Sequence, residues 1–474
     1  MSVTRNRGLA LLLAGSATLS ACASIPDLGT RPEVRPAGQI ASTESLRGPV
    51  AEWPAQGWWK SYGDPQLDQL MAEAIAGSPD LKAAAARLRT AQGYAQQAGA
   101  ALLPSVDASA SIGLVQQSEN EGVPAAFVPK GWQDSGKLGL GFSFDLDLWG
   151  KNRAALAAAR LDAEAARFEA EEAQLALTTS IAAAYADLAK LHAQRDVVAA
   201  IVTNRNETLR LVAGRTQAGL DNQAALKQAQ SRVPAARAEL AAADEAIALT
   251  RNAIAALTGA GPDRALAITR PSVSLGGVRG VPADASIDLI GRRPDIAAAR
   301  AGVEASASRI KVARASFYPD ISISGLIGLQ ALGVGNLLKG GSTYGNVGPA
   351  VSLPIFHGGA LAGQYRGARG QYDEAVARYD GIVVQALREV SDALVSRNML
   401  AVRLDESRQA LRDAEAAYAL ARTRYGQGLS SYLDVLSTEE NVLQARSSVA
   451  ELEVRAFTLD IAMIRSLGGG FVRA

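Results

Sequence analysis

The chain has 474 residues, 48% of them hydrophobic, with 48 basic against 47 acidic side chains and a net charge of +1. That balance excludes a bulk electrostatic signal for nucleic acid, and one cysteine excludes an internal disulfide framework. Beyond the N-terminal segment no apolar run reaches the roughly 18 residues of a membrane-spanning helix.

Arg5 and Arg7 precede an apolar stretch, Gly8 to Leu19, that is too short to cross a bilayer as a helix. It ends in Leu19-Ser20-Ala21-Cys22, which fits the lipobox of bacterial lipoprotein signal peptidase. Residues 1–21 therefore read as a signal peptide and Cys22 as the lipid-carrying (palmitate-bearing) first residue of the mature lipoprotein. Ala23 follows, not the Asp that retains lipoproteins at the inner membrane, so sorting to the outer membrane is favoured. Residues 22–64, rich in Pro, Gly and Trp, read as an extended arm tethered to that lipid, with Trp58-Trp59 anchoring it on a helix surface.

A short helix is expected from Pro65 to Ala76. Ser78 then reads as an N-cap with Pro79 at the first helical position, and this second helix should stop before Pro104. From Val106 the period changes to two: Val106, Ala108, Ala110, Ile112 and Leu114 alternate with Asp107, Ser109, Ser111 and Gly113. After a polar loop at about 118–134, Leu138, Leu140, Phe142, Phe144 and Leu146 alternate with Lys137, Gly139, Gly141, Ser143 and Asp145. A long proline-free helical run opens at Gly150-Lys151-Asn152 and reaches about Ala213, roughly 90 Å at ~1.5 Å per residue. Leu161, Phe168 and Leu175 mark its heptad spacing, the mark of a coiled coil. A shorter helix returns from Leu220 to Leu257, with Pro234 inside it expected to kink or loosen it.

The order then recurs. Ser78-Pro79-Asp80-Leu81 and Leu103-Pro104 return 215 positions later as Arg293-Pro294-Asp295-Ile296 and Tyr318-Pro319. Ile321, Ile323, Gly325, Ile327 and Leu329 repeat the first strand, and Val347, Pro349, Val351, Leu353 and Ile355 repeat the second. A second long run spans about Gly359 to Tyr425, and its return spans Leu429 to Leu467. The organisation expected is a first repeat at 65–260, a connector at 261–285 and a second repeat at 286–474.

Strands of about 10 residues that are apolar on one face and polar on the other suit an outer-membrane barrel. In lipid every strand edge must be paired, so four strands alone are not viable. Two chains would supply eight and three would supply twelve; eight strands are mostly filled by side chains, so function as a conduit favours three. The fold class is thus a mixed α and β membrane protein with four strands per chain, whose barrel further copies must complete.

The pattern resembles the TolC-like outer-membrane efflux proteins, most closely their lipid-anchored NodT-type branch. The resemblance covers the mature chain. It is carried by Trp58-Trp59 with Gly63-Asp64-Pro65, Ser78-Pro79-Asp80-Leu81, Arg292-Arg293-Pro294-Asp295-Ile296, Phe317-Tyr318-Pro319, Leu353-Pro354-Ile355-Phe356 with Gly358-Gly359, and Arg424-Tyr425-Gly426-Gln427-Gly428-Leu429-Ser430-Ser431-Tyr432-Leu433-Asp434-Val435-Leu436. It implies a homotrimer that completes a 12-stranded outer-membrane barrel continuous with a long α-helical barrel in the periplasm, a duct docked to a periplasmic adaptor and an inner-membrane pump, of the proton-driven RND type for small-molecule efflux. The helix–turn–helix tips at Gly219-Leu220 and Gly428-Leu429 would mesh with the adaptor. Tyr425, Leu433 and Asp434 match positions that constrict the periplasmic entrance, where three-fold symmetry would turn one carboxylate per chain into a cation-favouring ring. The alternative for Asp434 is a solvated helix charge. Ser437 and Ser430 stand where some relatives carry a second carboxylate and an Arg, which argues against a two-ring gate with an Arg latch.

No enzyme is legible. His192 and His357 lie far apart with no Cys, Asp or Glu at metal spacing and read as structural. Gly333-Val334-Gly335 reads as an extracellular loop, not a nucleotide loop. No cofactor is expected beyond the covalent lipid. Export of proteins or peptides with an ABC exporter, or a non-conducting structural coiled coil, are the competing readings; the strand alternation opposes the second, and neighbouring genes would separate the first.

Overall fold

The computed structural model describes residues 25–36, 39–120, 124–273 and 279–473 and is mostly helical, with one four-stranded antiparallel sheet. Cys22 and the signal segment lie outside the described residues. Helix α1 (Pro65–Gly77) leads into α2 (Pro79–Ala100), then strands β1 (Ser105–Val115) and β2 (Gln133–Asp145). The 67-residue helix α3 (Lys151–Gln217) and the 35-residue helix α4 (Gln223–Leu257) follow. After short helices α5 (Asp263–Leu266) and α6 (Ala285–Arg292) come α7 (Pro294–Ala315), β3 (Asp320–Leu332) and β4 (Thr343–Ser352). The 67-residue α8 (Ala360–Gly426) and the 35-residue α9 (Tyr432–Ser466) end the chain.

Two compact units are formed. One comprises residues up to Val34, 87–166 and 299–379; the other comprises 35–86, 167–298 and 380–474.

The first unit contains the sheet, in the order β1-β2-β3-β4. Pro104 and Pro319 stand between the end of a helix and the start of a strand, where a missing N–H costs nothing. The register lines up the alternating residues: Val106, Phe142, Gly325 and Val347 form one row, and Ala108, Leu140, Ile327 and Gly345 the next but one. All apolar alternates therefore share one face. That face is bare: Ile112 is 75% exposed, Ile327 63% and Val347 81%. The opposite face carries rows such as Ser109, Gly139, Gly328 and Tyr344, or Ser111, Lys137 and Gln330. Strands β1 and β4 each keep one unpaired edge in the chain. Strand β4 stops at Ser352, so Leu353 and Ile355, expected as strand residues, fall beyond it; Pro354 has no N–H to continue the ladder. In the same unit the arm lies along α8, with the Tyr372 hydroxyl donating to the Pro32 carbonyl at 3.1 Å and Arg369 donating to the Gly29 and Thr30 carbonyls.

The second unit holds the larger core, in which Leu67, Leu70, Met71, Ile181, Tyr185, Ile254 and Phe457 are essentially inaccessible. Trp58 is inserted into this core in a short 3-10 turn (Trp58–Tyr62), not laid on a helix surface as expected. Asp64 caps α1, accepting from Gln66 N at 3.0 Å, and its second oxygen accepts from Tyr185 Oη and Ser272 N, both at 2.7 Å. Burial pushes this carboxyl up, but the Ser272, Tyr185, Gln66 and Leu67 donors outweigh it and hold it below the usual range. Asp460 of α9 likewise accepts from Tyr62 Oη at 2.7 Å and Arg279 N at 3.0 Å. Helix α4 carries Pro234, the residue expected to kink or loosen it, inside one continuous helical segment, and Arg205 Nη1 donates to the Arg232 carbonyl two residues earlier, at 3.4 Å.

Candidate functional site

The two helix–turn–helix tips both belong to the second unit. They are built alike. At the first, Leu220 N donates to Arg215 O (2.8 Å) and Gly219 N to Thr216 O (3.1 Å). At the second, Leu429 N donates to Arg424 O (2.8 Å) and Gly428 N to Tyr425 O (3.0 Å). Both are Schellman closures, which need a left-handed residue at the turn. Gly219 at φ 75 and Gly428 at φ 76 supply it. The following helices restart from side-chain caps: Asn222 accepts from Ala225 N at 2.9 Å, and Ser431 forms a capping box with Asp434. Leu220, Leu429 and Leu433 project with about two thirds of their surface exposed.

The tips are joined to each other. Tyr425, 1% exposed, donates from its hydroxyl to Asp221 Oδ2 at 2.5 Å. The Arg215 guanidinium stacks over the Tyr425 ring at 4.7 Å. Its Nη1 and Nη2 reach the Gly426 and Leu220 carbonyls at 3.4 Å, and its Nε stands 3.8 Å from Asp221 Oδ2, an ion pair without a hydrogen bond. Burial first, and Asp221 next, hold the Tyr425 phenol well above its ordinary range, so it remains a donor. Beneath lies a small core of Val212, Ala225, Ala229, Tyr432 and Val435. Arg422 and Glu207 add a cross-tip ion pair at 2.8 Å.

Of the gate residues expected from sequence, Tyr425 is thus engaged within its own chain, through partners that sequence reasoning did not assign to it. Ser430 brings no guanidinium to this contact; the arginine that meets Tyr425 and Asp221 is Arg215, from the other tip. Asp434 is not a bare carboxylate: its Oδ2 accepts from Ser431 N at 2.9 Å and Ser431 Oγ at 3.0 Å. Those two donors hold it below the usual range and therefore ionised. Ser437 Oγ is turned back to the Asp434 carbonyl at 3.1 Å. The one available signal for Arg215 was positional: it and Arg424 both stand four residues before their tip glycine. Among the described residues no cluster of three or more His, Cys, Asp or Glu could hold a metal ion. Burial, then Arg251 and Arg270, lower the pKa of His192.

A sheet with one apolar face, helices of this length and paired tips together define an outer-membrane channel subunit. The chain belongs to the outer membrane efflux protein family, whose model matches residues 70–260 and 287–469. It is similar to the outer membrane protein VceC of Vibrio cholerae, with 43% identity, a TM-score of 0.83, and coverage of 88% of this chain and 100% of that structure. It is 31% identical to the multidrug resistance outer membrane protein MdtP of Escherichia coli K12 over 98% of both chains. It is 37% identical to the fusaric acid resistance protein FusA of Burkholderia cepacia, across 74% of this chain and 67% of that one. VceC and MdtP are by name outer membrane proteins, MdtP one of multidrug resistance, and FusA is by name a fusaric acid resistance protein.

Proposed function

We propose that three copies of this chain close a twelve-stranded outer-membrane barrel and form a passive exit duct for small molecules in a tripartite efflux system. The observation that carries this reading is the sheet, which has a continuous exposed apolar face and two unpaired edge strands. In hydrocarbon those edges must find partners, and further copies of the same four strands supply them without new sequence. Twelve strands leave an aqueous lumen where eight would be filled by side chains. The two successions of helix, hairpin, long helix and return helix read as two structural repeats, 65–260 and 286–474, behind a lipid-anchored arm at 22–64.

In this reading Cys22 carries the lipid, and the exposed Leu220 and Leu429 beside Gly219 and Gly428 meet the hairpins of a periplasmic adaptor. The adaptor links the duct to an inner-membrane pump that supplies the energy. Tyr425, held by Asp221 and Arg215, keeps the entrance narrow, while Leu433 forms an apolar constriction and Asp434 a ring of charge. The test is conductance of the acylated, detergent-purified protein in a planar bilayer, alongside its oligomeric mass. Discrete cation-preferring steps from a trimer support the duct. A protein that never forms trimers and never conducts would falsify it.

A further inference from the structure

We propose that the first unit holds a binding site for the phosphate headgroup of an anionic phospholipid from the inner leaflet of the outer membrane. This rests on the reading that the sheet spans that membrane. A cavity of about 610 Å³ is formed between the start of α3 and the last turns of α7. Its basic wall is Arg153, Lys311 and Arg314, and no carboxylate lines it. Lys311 and Arg314 are exposed, and among the described residues their side chains have neither a hydrogen bond nor an ion pair. Arg153 is committed to Asp147, through Nε to Oδ2 at 3.1 Å and Nη2 to the carbonyl at 2.8 Å. A lone arginine in the last turn of α7 would answer only to the helix dipole. An acid-free pocket with two unpaired cations is a different matter, because it holds a local excess of positive charge in a chain whose net charge is +1.

Its position selects the anion. All four helices that adjoin the sheet attach at one end of the strands, and the hairpin loops lie at the other. The cavity lies at the helical end. Trp149 and Tyr318 line it with their rings stacked at 4.7 Å, and the Trp149 indole donates to the Pro319 carbonyl at 2.8 Å. Tryptophan and tyrosine favour the headgroup level of a bilayer, and basic side chains there favour anionic lipid. The alanines at 154, 157 and 315 give the cavity an apolar floor for the first carbons of an acyl chain. The adjoining cavity across the same aromatic pair is lined by Asp145, Asp147 and Asp320 and lacks this character.

The test uses the acylated full-length protein in vesicles of phosphatidylcholine, with and without phosphatidylglycerol. Conductance in both vesicle types first reports whether the sheet spans a bilayer at all. Lipids retained in native mass spectrometry are then counted, and the unfolding midpoint is followed against added phosphatidylglycerol, phosphatidylcholine and inorganic phosphate. The expected result is retained phosphatidylglycerol and a midpoint that rises with it. Lys311→Gln and Arg314→Gln should each weaken that response about fivefold, while Lys339→Gln, in the hairpin loop at the far end of the sheet, leaves it intact. An equal response to phosphatidylcholine, an equal response to inorganic phosphate, or an undiminished response in both variants overturns the headgroup site. Channels that conduct without retaining phosphatidylglycerol remove the site alone. A protein that inserts into neither vesicle removes the membrane reading with it.

Discussion

At the scale of single residues, the contact joining the tips is a phenol, a carboxylate and a guanidinium from both turns. Tyr425→Phe removes the donor to Asp221 Oδ2 and leaves that carboxylate with the Asn222 N–H on Oδ1 at 2.9 Å and a 3.8 Å ion pair to Arg215. A hydrogen bond to a charged group contributes about 2 kcal/mol, so the tips should part more readily. The expected outcome is a leakier resting channel in a planar bilayer, with Arg215→Ala producing the same effect. Asp434→Ala should weaken cation preference and also fray the start of α9, since Asp434 completes the capping box. Asp434→Asn separates these effects, because it removes the charge while its amide oxygen can still accept.

A second residue-scale prediction concerns pH. Burial, and then Asp295, pushes the Glu172 carboxyl up to about 7, against Arg293 and Arg465 and with Glu389 adding to the rise. A carboxyl raised in the folded state holds its proton longer there than in the unfolded chain. Stability is therefore highest below the ordinary value of 4.5 and falls as pH rises towards about 7. Glu172→Gln should abolish that decline, giving a higher unfolding midpoint than the parent at pH 8 and no difference at pH 4. Equal midpoints at pH 8 would place the titration elsewhere.

At the scale of elements, the helix ends differ in what a side chain would meet. An added Cβ at Gly219 meets nothing within 4 Å and at Gly428 only the Arg215 guanidinium at 3.9 Å, so alanine there costs only the left-handed strain, about 1 kcal/mol. At Gly468 the same atom would run into the Arg292 carbonyl. Gly468→Ala should therefore lower the unfolding midpoint clearly more than Gly428→Ala, by thermal melts of the two. Helix α4 offers the opposite case. Pro234 removes an interior hydrogen bond, and Pro234→Ala should stabilise the helix by about 2 kcal/mol.

The period-two alternation of the strands and the glycines and prolines that bound the helices were legible in the sequence, because each is a local property of φ, ψ and side-chain direction. What the tips do to each other was not. Tyr425 and Asp221 stand 204 residues apart, and Arg215 carries no local mark that distinguishes it from other helix-terminal arginines. Trp58 likewise reads as a surface anchor until the core that receives it exists.

At the scale of the whole molecule, the proposed lipid on Cys22 and the proposed barrel set the expectations. Cys22→Ser should block lipoprotein processing, detected by mass spectrometry as an unacylated precursor that keeps its signal segment. Closure by other copies predicts oligomers that resist heat, since opening them exposes strand edges to lipid.

By itself the sequence determined which segments are strands and which are helices, and which strand face is apolar, because periodicity and backbone chemistry act over a few residues. The tertiary structure alone decided that α4 runs through Pro234, that β4 ends before Leu353, and that Tyr425 is held by Asp221 and Arg215. Those outcomes depend on which distant side chains reach the same place, and spacing along the chain carries no information about that.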